Sequence, residues 1–457
     1  MLGTQERPLR VAVVGSGPSG FYAADALFKS SLVCTVDIFE KLPSPFGLAR
    51  TGVAPDHEKI RDITRIFEKI AGHERFSFHG NIEIGTAMPV SLLRKHFDAV
   101  ILACGTEISQ RMGIPGEELP GSYTAASFVG WYNGHPAHCD FPFDLSQEVA
   151  VVIGVGNVAI DVARILCKTV DELKHTDISQ QALDMLAESK VREVHVIGRR
   201  GPAQAKFRDQ EIKELTRLAD CNCIVRAEDL LLNEASEREL EEPAARRNMA
   251  CLREVAAHPS DPAKRRQIHL GFLMSPVRVQ GSSRVESIIL ERNQLQGEPF
   301  RQSARGTGEV LEIPCGLVFS SIGYRAIPVP GVPFENRLGI ITNHEGRVIE
   351  DGHVVPGLYT VGWIKRGPTG LIGTNKPCSH ETAQKLLEDI AALPPCEVPD
   401  TAALLRELTS RGARPVSFDD WRRIDAAERA RGQAVGKPRE RYTNVNEMLA
   451  LLDEPAG

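Results

Sequence analysis

The sequence predicts an α/β fold of two three-layer units, the second inserted in the first. Three observations carry this. Two short β-branched runs, 9–14 and 149–153, each lead into a glycine-rich turn and then a helix. Each is followed by a second β-branched run, 35–40 and 191–198. Further strand-like runs at 99–105, 317–323 and 357–362 supply more than one parallel sheet needs. The late strands place a first unit at 1–107, a second at 108–332, and the rest of the first unit, with a helical tail, at 333–457.

Taken in order, the first strand feeds Gly15-Ser16-Gly17-Pro18-Ser19-Gly20 and a helix to about Lys29. A helix is expected over 57–71, and solvated helices over 168–190 and 228–268, which are rich in Glu, Arg and Lys. A loop spans 365–373, a helix 379–391, and the last 60 residues are helical with a break near Gly436-Lys437-Pro438.

The bulk chemistry excludes several classes. The 457 residues carry a net charge of -6, so no dominant basic field marks a nucleic-acid partner. No apolar stretch reaches membrane-spanning length, and no secretory or transit segment is visible at the N-terminus. Ten cysteines lie scattered without a C-x-x-C pair, which gives neither a metal site nor an iron–sulfur ligand set. Free thiols in a reducing, cytoplasmic compartment are expected.

The first turn fits G-x-G-x-x-G. Gly15 makes the turn, Gly17 lets the backbone approach a pyrophosphate, and Gly20 lets strand and helix pack closely. Glu40 ends the next strand, where a carboxylate can bind both hydroxyls of an unphosphorylated ribose. Asp37 is the rival acid but lies inside the strand. FAD is the expected occupant. The second turn, Gly154-Val155-Gly156-Asn157-Val158-Ala159, is followed by Arg199-Arg200 in place of an acid. Two guanidiniums there suit a 2′-phosphate, so NADP(H) is expected rather than NAD(H). Together the two turns imply hydride passage from nicotinamide to flavin.

With these motifs in place, the chain resembles the adrenodoxin-reductase type of ferredoxin–NADP reductase nearly end to end. The likeness runs through Gly15–Tyr22, Pro45-Phe46-Gly47-Leu48, Gly52–His57, Gly156–Asp161, Gly198–Pro202, Gly362–Gly370 and Ile372–Lys376, and into the tail at Trp421–Asp425 and Gly436–Arg439. It implies two Rossmann-like domains, with the NADP domain inserted in the FAD domain. It also implies FAD contacts at Ser19, Glu40, Leu48, Ile84, Trp363 and the backbone of Gly370, Leu371 and Ile372. NADP(H) contacts are implied at Val155, Gly156, Asn157, Val158, Arg199, Arg200, Glu211 and Gly370. His57 and Asp161 match a polar pair near the flavin, and Trp363 an aromatic at its edge; these three are the candidate catalytic residues.

The sequence departs from the family at Phe207-Arg208, where Phe-Thr is usual, and at Pro377-Cys378-Ser379-His380. The implied partner is an acidic iron–sulfur ferredoxin, with Lys213, Arg246, Arg247 and Arg253 as docking candidates, and a monomer is expected. A disulfide reductase would need a redox cysteine pair, which the chain lacks. A diaphorase or quinone reductase of loose acceptor choice, and a non-catalytic NADP(H)-sensing flavoprotein, stay open at this point.

Overall fold

The strand Leu9–Val14, apolar and buried except at Arg10, is an inner strand of a seven-stranded sheet. The computed structural model describes residues 1–85 and 88–454. Strands Phe76–His79, Cys34–Phe39, Leu9–Val14, Ala99–Leu102 and His353–Thr360 follow one another in parallel across this sheet. Two short antiparallel strands, Arg347–Glu350 and Asn343–His344, finish its edge. One face packs on helices Pro18–Phe28, Thr64–Ala71 and Asn375–Glu388 and on the tail helix Phe418–Gln433. The other face is covered by Val90–His96 and Thr401–Ser410.

The second sheet has six strands, all parallel: Ser122–Thr124, Leu317–Ser320, Val149–Ile153, Glu193–Ile197, Arg266–Gly271 and Cys221–Val225. Helices cover one face, including Asn157–Cys167, Asp209–Thr216 and Pro243–Ala257. The opposite face buries Val151, Ile153 and Ile197 against a three-stranded antiparallel sheet, Met274–Gln280, Ser287–Gln296 and Ser303–Pro314. The third layer here is therefore β, not α.

Several expected elements differ. The helix over 57–71 is two helices, Glu58–Arg61 and Thr64–Ala71. Between them the backbone tightens, with Arg65 and Ile66 bonding the carbonyls three residues back. The 228–268 stretch ends in the strand Arg266–Gly271, whose polar alternation hid it. Strand Cys221–Val225 and the antiparallel sheet were not foreseen: the first is a short run interrupted by Asn222, and the outer strand of the second, Ser303–Pro314, carries charged, exposed residues that break the apolar run.

Both glycine turns are fixed by close backbone contact. Gly15 has φ +109, and a Cβ there would meet the Ala103 carbonyl oxygen at 2.5 Å. Gly154 has φ +135, and its Cβ would collide with the Ser321 carbonyl oxygen. Gly154→Ala is expected to cost about 1–3 kcal/mol through strain and the displaced strand end. Chemical denaturation measures it as a lowered midpoint with an unchanged slope.

Candidate functional site

Both turns present an open helix N-terminus. Gly17 and Gly156 are the N-cap residues of their helices, and no side chain caps either one. A Cβ on either glycine would meet nothing within 4 Å, whereas a Cβ on Gly20 would strike the Gly15 carbonyl. Each turn thus leaves free the space and the N–H field that a diphosphate uses, and the residues present fit two dinucleotides. Ala159 replaces the third glycine and is fully buried against the core of its sheet.

Glu40 faces the first turn. Its Oε2 accepts from the Ser16 N–H at 3.1 Å and the Ser16 hydroxyl at 2.6 Å, and Oε1 accepts from the Leu42 N–H at 3.2 Å. Burial pushes its carboxyl up, and the Ser16 bonds oppose that. Asp37 is otherwise engaged, 2.8 Å from His79 Nε2 in the core. The loop carrying Leu48 rests against Gly17, where a Cβ on Gly47 would lie 3.0 Å from the Gly17 Cα, and Leu48 itself is exposed. Ile84 packs beside the cluster that contains Val14 and Phe39.

On the far side, Gly362 has φ +75 and abuts Ser19, so Trp363 begins its short helix at the turn. The Trp363 indole N–H donates to the Thr369 carbonyl at 3.1 Å, and its ring lies 5.9 Å from Tyr324. Asn375 holds the loop by donating to the carbonyls of Leu371 and Ile372. Gly370 has φ +81 and sits against Thr374.

In the second unit, Val155 packs on Gly198, which sets Arg199 and Arg200 beside the turn. Among the described residues, neither guanidinium makes a salt bridge or hydrogen bond, although most arginines of the chain are paired. Glu211 differs from the expectation of a free ligand contact. It is buried and its two oxygens accept from Arg208 Nε at 3.0 and 3.2 Å. Arg208 is thereby neutralised, so it adds no free charge at the phosphate end. Its backbone N–H donates to Asn157 Oδ1 at 3.2 Å, and Val158 packs into the core.

His57 and Asp161 do not bond each other. His57 occupies the N-cap position of Glu58–Arg61 but caps nothing. Its Nε2 lies 2.7 Å from Glu214 Oε2 instead. Asp161 pairs with Arg164 at 2.8 Å, one turn along its helix. Arg164 is 1% exposed and holds Asp56 with two bonds, 2.8 and 3.0 Å, while Lys168 reaches Asp56 at 3.1 Å. Glu214 completes the ring around Arg164 at 3.4 Å. Asp56 and His57 belong to the first sheet's connections, and Arg164, Lys168 and Glu214 to helices of the second. This lattice therefore ties the two units together. A cleft of about 230 Å³ reaches it from outside, between Lys168, Glu172 and Arg217.

Sequence reasoning missed Asp56, Arg164, Lys168 and Glu214. One signal was present: Arg164 is the sole cation in the buried apolar run of Asn157–Cys167, and a buried guanidinium demands carboxylates.

The docking candidates lie on adjoining helices. Lys213 pairs with Asp209 at 2.8 Å, and Arg247 approaches the same acid at 3.7 Å. Arg246 donates to the carbonyls of Leu240 and Glu241, and Arg253 is exposed.

Comparison with known proteins gives a consistent picture. A model of the NAD(P)-binding Rossmann-like domain matches residues 13–77. The human mitochondrial NADPH:adrenodoxin oxidoreductase is 44% identical over 98% of this chain and 93% of its own. A probable ferredoxin/ferredoxin–NADP reductase of Mycobacterium bovis is 42% identical over 98% of this chain and 76% of its own. Among solved structures, Mycobacterium tuberculosis FprA in complex with NADPH superposes with a TM-score of 0.92 at 41% identity, covering 97% of this chain and 99% of that one.

The His57–Glu214 pair generates a pH dependence. Burial disfavours the imidazolium, but the Glu214 bond, with Asp161 and Asp56 nearby, outweighs it and raises His57 above its ordinary 6.5. Burial likewise works against the Glu214 carboxylate, but the His57 bond and Arg164 pull it below 4.5. A raised histidine contributes fully below 6.5 and loses its contribution as pH rises through the folded value. A lowered carboxyl contributes fully above 4.5 and loses its contribution as pH falls through the folded value. The pair is thus strongest between 4.5 and 6.5. Glu214→Gln is expected to lower the His57 pKa, read by imidazole NMR, and to reduce stability in that window by about 1–3 kcal/mol.

Proposed function

Because this chain belongs to the adrenodoxin-reductase type of ferredoxin–NADP reductases, we propose that it is an FAD-dependent oxidoreductase that oxidises NADPH and reduces an iron–sulfur ferredoxin. Bound FAD supplies the chemistry, taking two electrons as a hydride and releasing them singly. The single observation that carries the coenzyme side is the Arg199–Arg200 doublet at the end of Glu193–Ile197, whose guanidiniums pair with no acid among the described residues.

In this reading the chain divides at 107/108 and 332/333, supported by strand membership: 9–102 and 343–360 build one sheet, and 122–320 the other. The Gly17 and Gly156 helix termini receive the diphosphates, and Glu40 accepts from the flavin-side adenosine ribose. Ser19, Leu48, Ile84 and the backbone of Gly370, Leu371 and Ile372 wall the first nucleotide. Val155, Asn157 and Val158 wall the second. Trp363, held by its bond to Thr369, shields the meeting point of the two cofactors.

Hydride transfer needs no base, so His57 holds a proton rather than removes one from carbon. Its Nε2 proton is bonded to Glu214, and the Arg164 ring of carboxylates keeps that bond oriented. Glu211, tied to Arg208, acts by fixing the start of the helix Asp209–Thr216. Asp161 acts through Arg164 as a positioning residue.

The ferredoxin is acidic in this reading and meets the basic face of Lys213, Arg246, Arg247 and Arg253. Ten cysteines without paired spacing favour a reducing compartment, the cytoplasm. Among the described residues, no helix is long and apolar enough to cross a membrane.

Arg199→Ala with Arg200→Ala is expected to weaken NADPH binding about a hundredfold while leaving NADH binding unchanged. Equilibrium titration of both coenzymes checks this, and equal losses would contradict the 2′-phosphate role. Arg246→Glu with Arg247→Glu is expected to slow ferredoxin reduction about tenfold and to spare ferricyanide reduction. Stopped-flow measurement with each acceptor separates docking from a general loss of turnover, and ferricyanide running far faster than ferredoxin in the unaltered protein would favour a diaphorase.

A further inference from the structure

Arg199 and Arg200 are neighbours in the chain, and neighbours in a strand point to opposite faces. For both guanidiniums to reach one phosphate, the backbone has to leave the strand. It does so: Glu193–Ile197 ends two residues earlier, and the chain bends at 199–200. Three successive carbonyls anchor that bend. The Met274 N–H donates to the Gly198 carbonyl at 3.0 Å, the Asn293 side-chain amide to the Arg199 carbonyl at 2.8 Å, and the Leu273 N–H to the Arg200 carbonyl at 3.1 Å.

The donors come from the antiparallel sheet and the turn that leads into it. Leu273 precedes strand Met274–Gln280, and its φ of +56 is a conformation that strains a leucine. It is held there from both sides, since its N–H goes to Arg200 and its own carbonyl accepts from the Asn293 N–H at 2.7 Å. Asn293 sits where strand Ser287–Gln296 loses regular register with Ser303–Pro314, an irregularity of the kind that re-aims a side chain. The residue is 8% exposed, and its amide also donates to Ser275 Oγ at 2.8 Å.

Two of the three anchors are backbone N–H groups, which any residue except proline supplies at 273 and 274. The third depends on the side chain at 293 alone. Beyond Gly201 the chain is tied again: Gln204 Nε2 donates to Glu239 Oε2 at 2.9 Å and to Ser236 Oγ at 3.0 Å. Glu239 Oε1 accepts from Gln302 Nε2 and the Phe300 N–H, both at 2.9 Å, so this buried carboxylate is occupied without pairing with Arg200. The doublet thus combines a fixed backbone with guanidiniums left for a ligand, which is how a preorganised site is built.

We propose that Asn293 is a specificity-determining positioning residue, whose side-chain amide, by holding the Arg199 carbonyl, sets the Arg199 guanidinium for the 2′-phosphate of NADP(H). This rests on the reading of Arg199–Arg200 given above and extends it to a residue that touches neither coenzyme. Without the amide the Arg199 carbonyl is released and the two guanidiniums are no longer held to converge, so the loss falls on the phosphorylated coenzyme. The antiparallel sheet, which carries none of the residues assigned to either nucleotide, is then the scaffold of coenzyme choice.

The test titrates NADP+ and NAD+ by calorimetry into the full-length protein with FAD bound. Asn293→Leu is expected to weaken NADP+ binding about tenfold and to leave NAD+ binding within about twofold. In an Arg199→Ala background the same change is expected to add less than about twofold, because it acts through Arg199. Ser275→Ala, which removes the second acceptor that fixes the amide, is expected to weaken NADP+ binding about threefold with NAD+ binding unchanged, and serves if Asn293→Leu fails to fold. NADP+ binding untouched by Arg199→Ala with Arg200→Ala would remove the 2′-phosphate reading itself, and the role of Asn293 with it. Where that pair does weaken NADP+, three results would overturn the role of Asn293 and leave the reading standing: unchanged NADP+ binding in the variants that fold, equal loss of both coenzymes, or a loss that simply adds to that of Arg199→Ala.

Discussion

The Arg164 guanidinium and its ring of carboxylates set the relation of the two halves on which the rest depends. Arg164 projects from the helix that begins at the second glycine turn, and its strongest partner, Asp56, comes from a connection of the other sheet. Removing a guanidinium from water costs several kcal/mol, and that cost is offset only when the partners are close and well aligned. Two hydrogen bonds to Asp56 meet that condition, and Asp161 adds a close ion pair at 2.8 Å. The geometry is strict, so one relative placement of the sheets satisfies it and shifted ones do not. Lys168 and the His57–Glu214 pair repeat the constraint on either side.

That constraint explains an otherwise odd economy. Each glycine turn is locally self-sufficient: Gly15 and Gly154 are pinned by neighbouring carbonyls, and Gly17 and Gly156 leave room for a diphosphate. Neither turn says anything about the other. Electron passage between two bound nucleotides needs their reacting rings in contact, and misplacement by one ångström is expensive. A buried ionic lattice supplies directional precision that apolar packing between the halves would not. It also places His57 at the junction, bonded to Glu214 rather than to Asp161.

Much of this was legible in the sequence, and the reasons differ by element. The first strand and Gly15–Gly20 could be read because Val11–Val14 is a continuous buried apolar run, and because Gly15 and Gly20 each meet a backbone carbonyl while Gly17 leaves open space. Glu40 could be preferred to Asp37 from strand position alone, and Asp37 is engaged by His79 in the core. The Arg199–Arg200 doublet could be read because it replaces an acid. The antiparallel sheet at 274–314 could not, since its outer strand Ser303–Pro314 is solvated and carries no apolar alternation. His57 was visible as a residue but not as half of a pair, because Glu214 lies 157 positions away and only tertiary packing brings them together. Glu211, one turn earlier, drew attention to the same helix but turns to Arg208 instead.

The most direct measurement is the rate at which NADPH bleaches the flavin without oxygen, in Asp56→Asn and Arg164→Met proteins. If the lattice sets the register, both proteins stay yellow and bind NADP+ within about threefold of the unaltered chain, yet bleach at least about tenfold more slowly. Bleaching at the unaltered rate in stably folded Arg164→Met protein would contradict it, and would mean that packing alone aligns the two nucleotides.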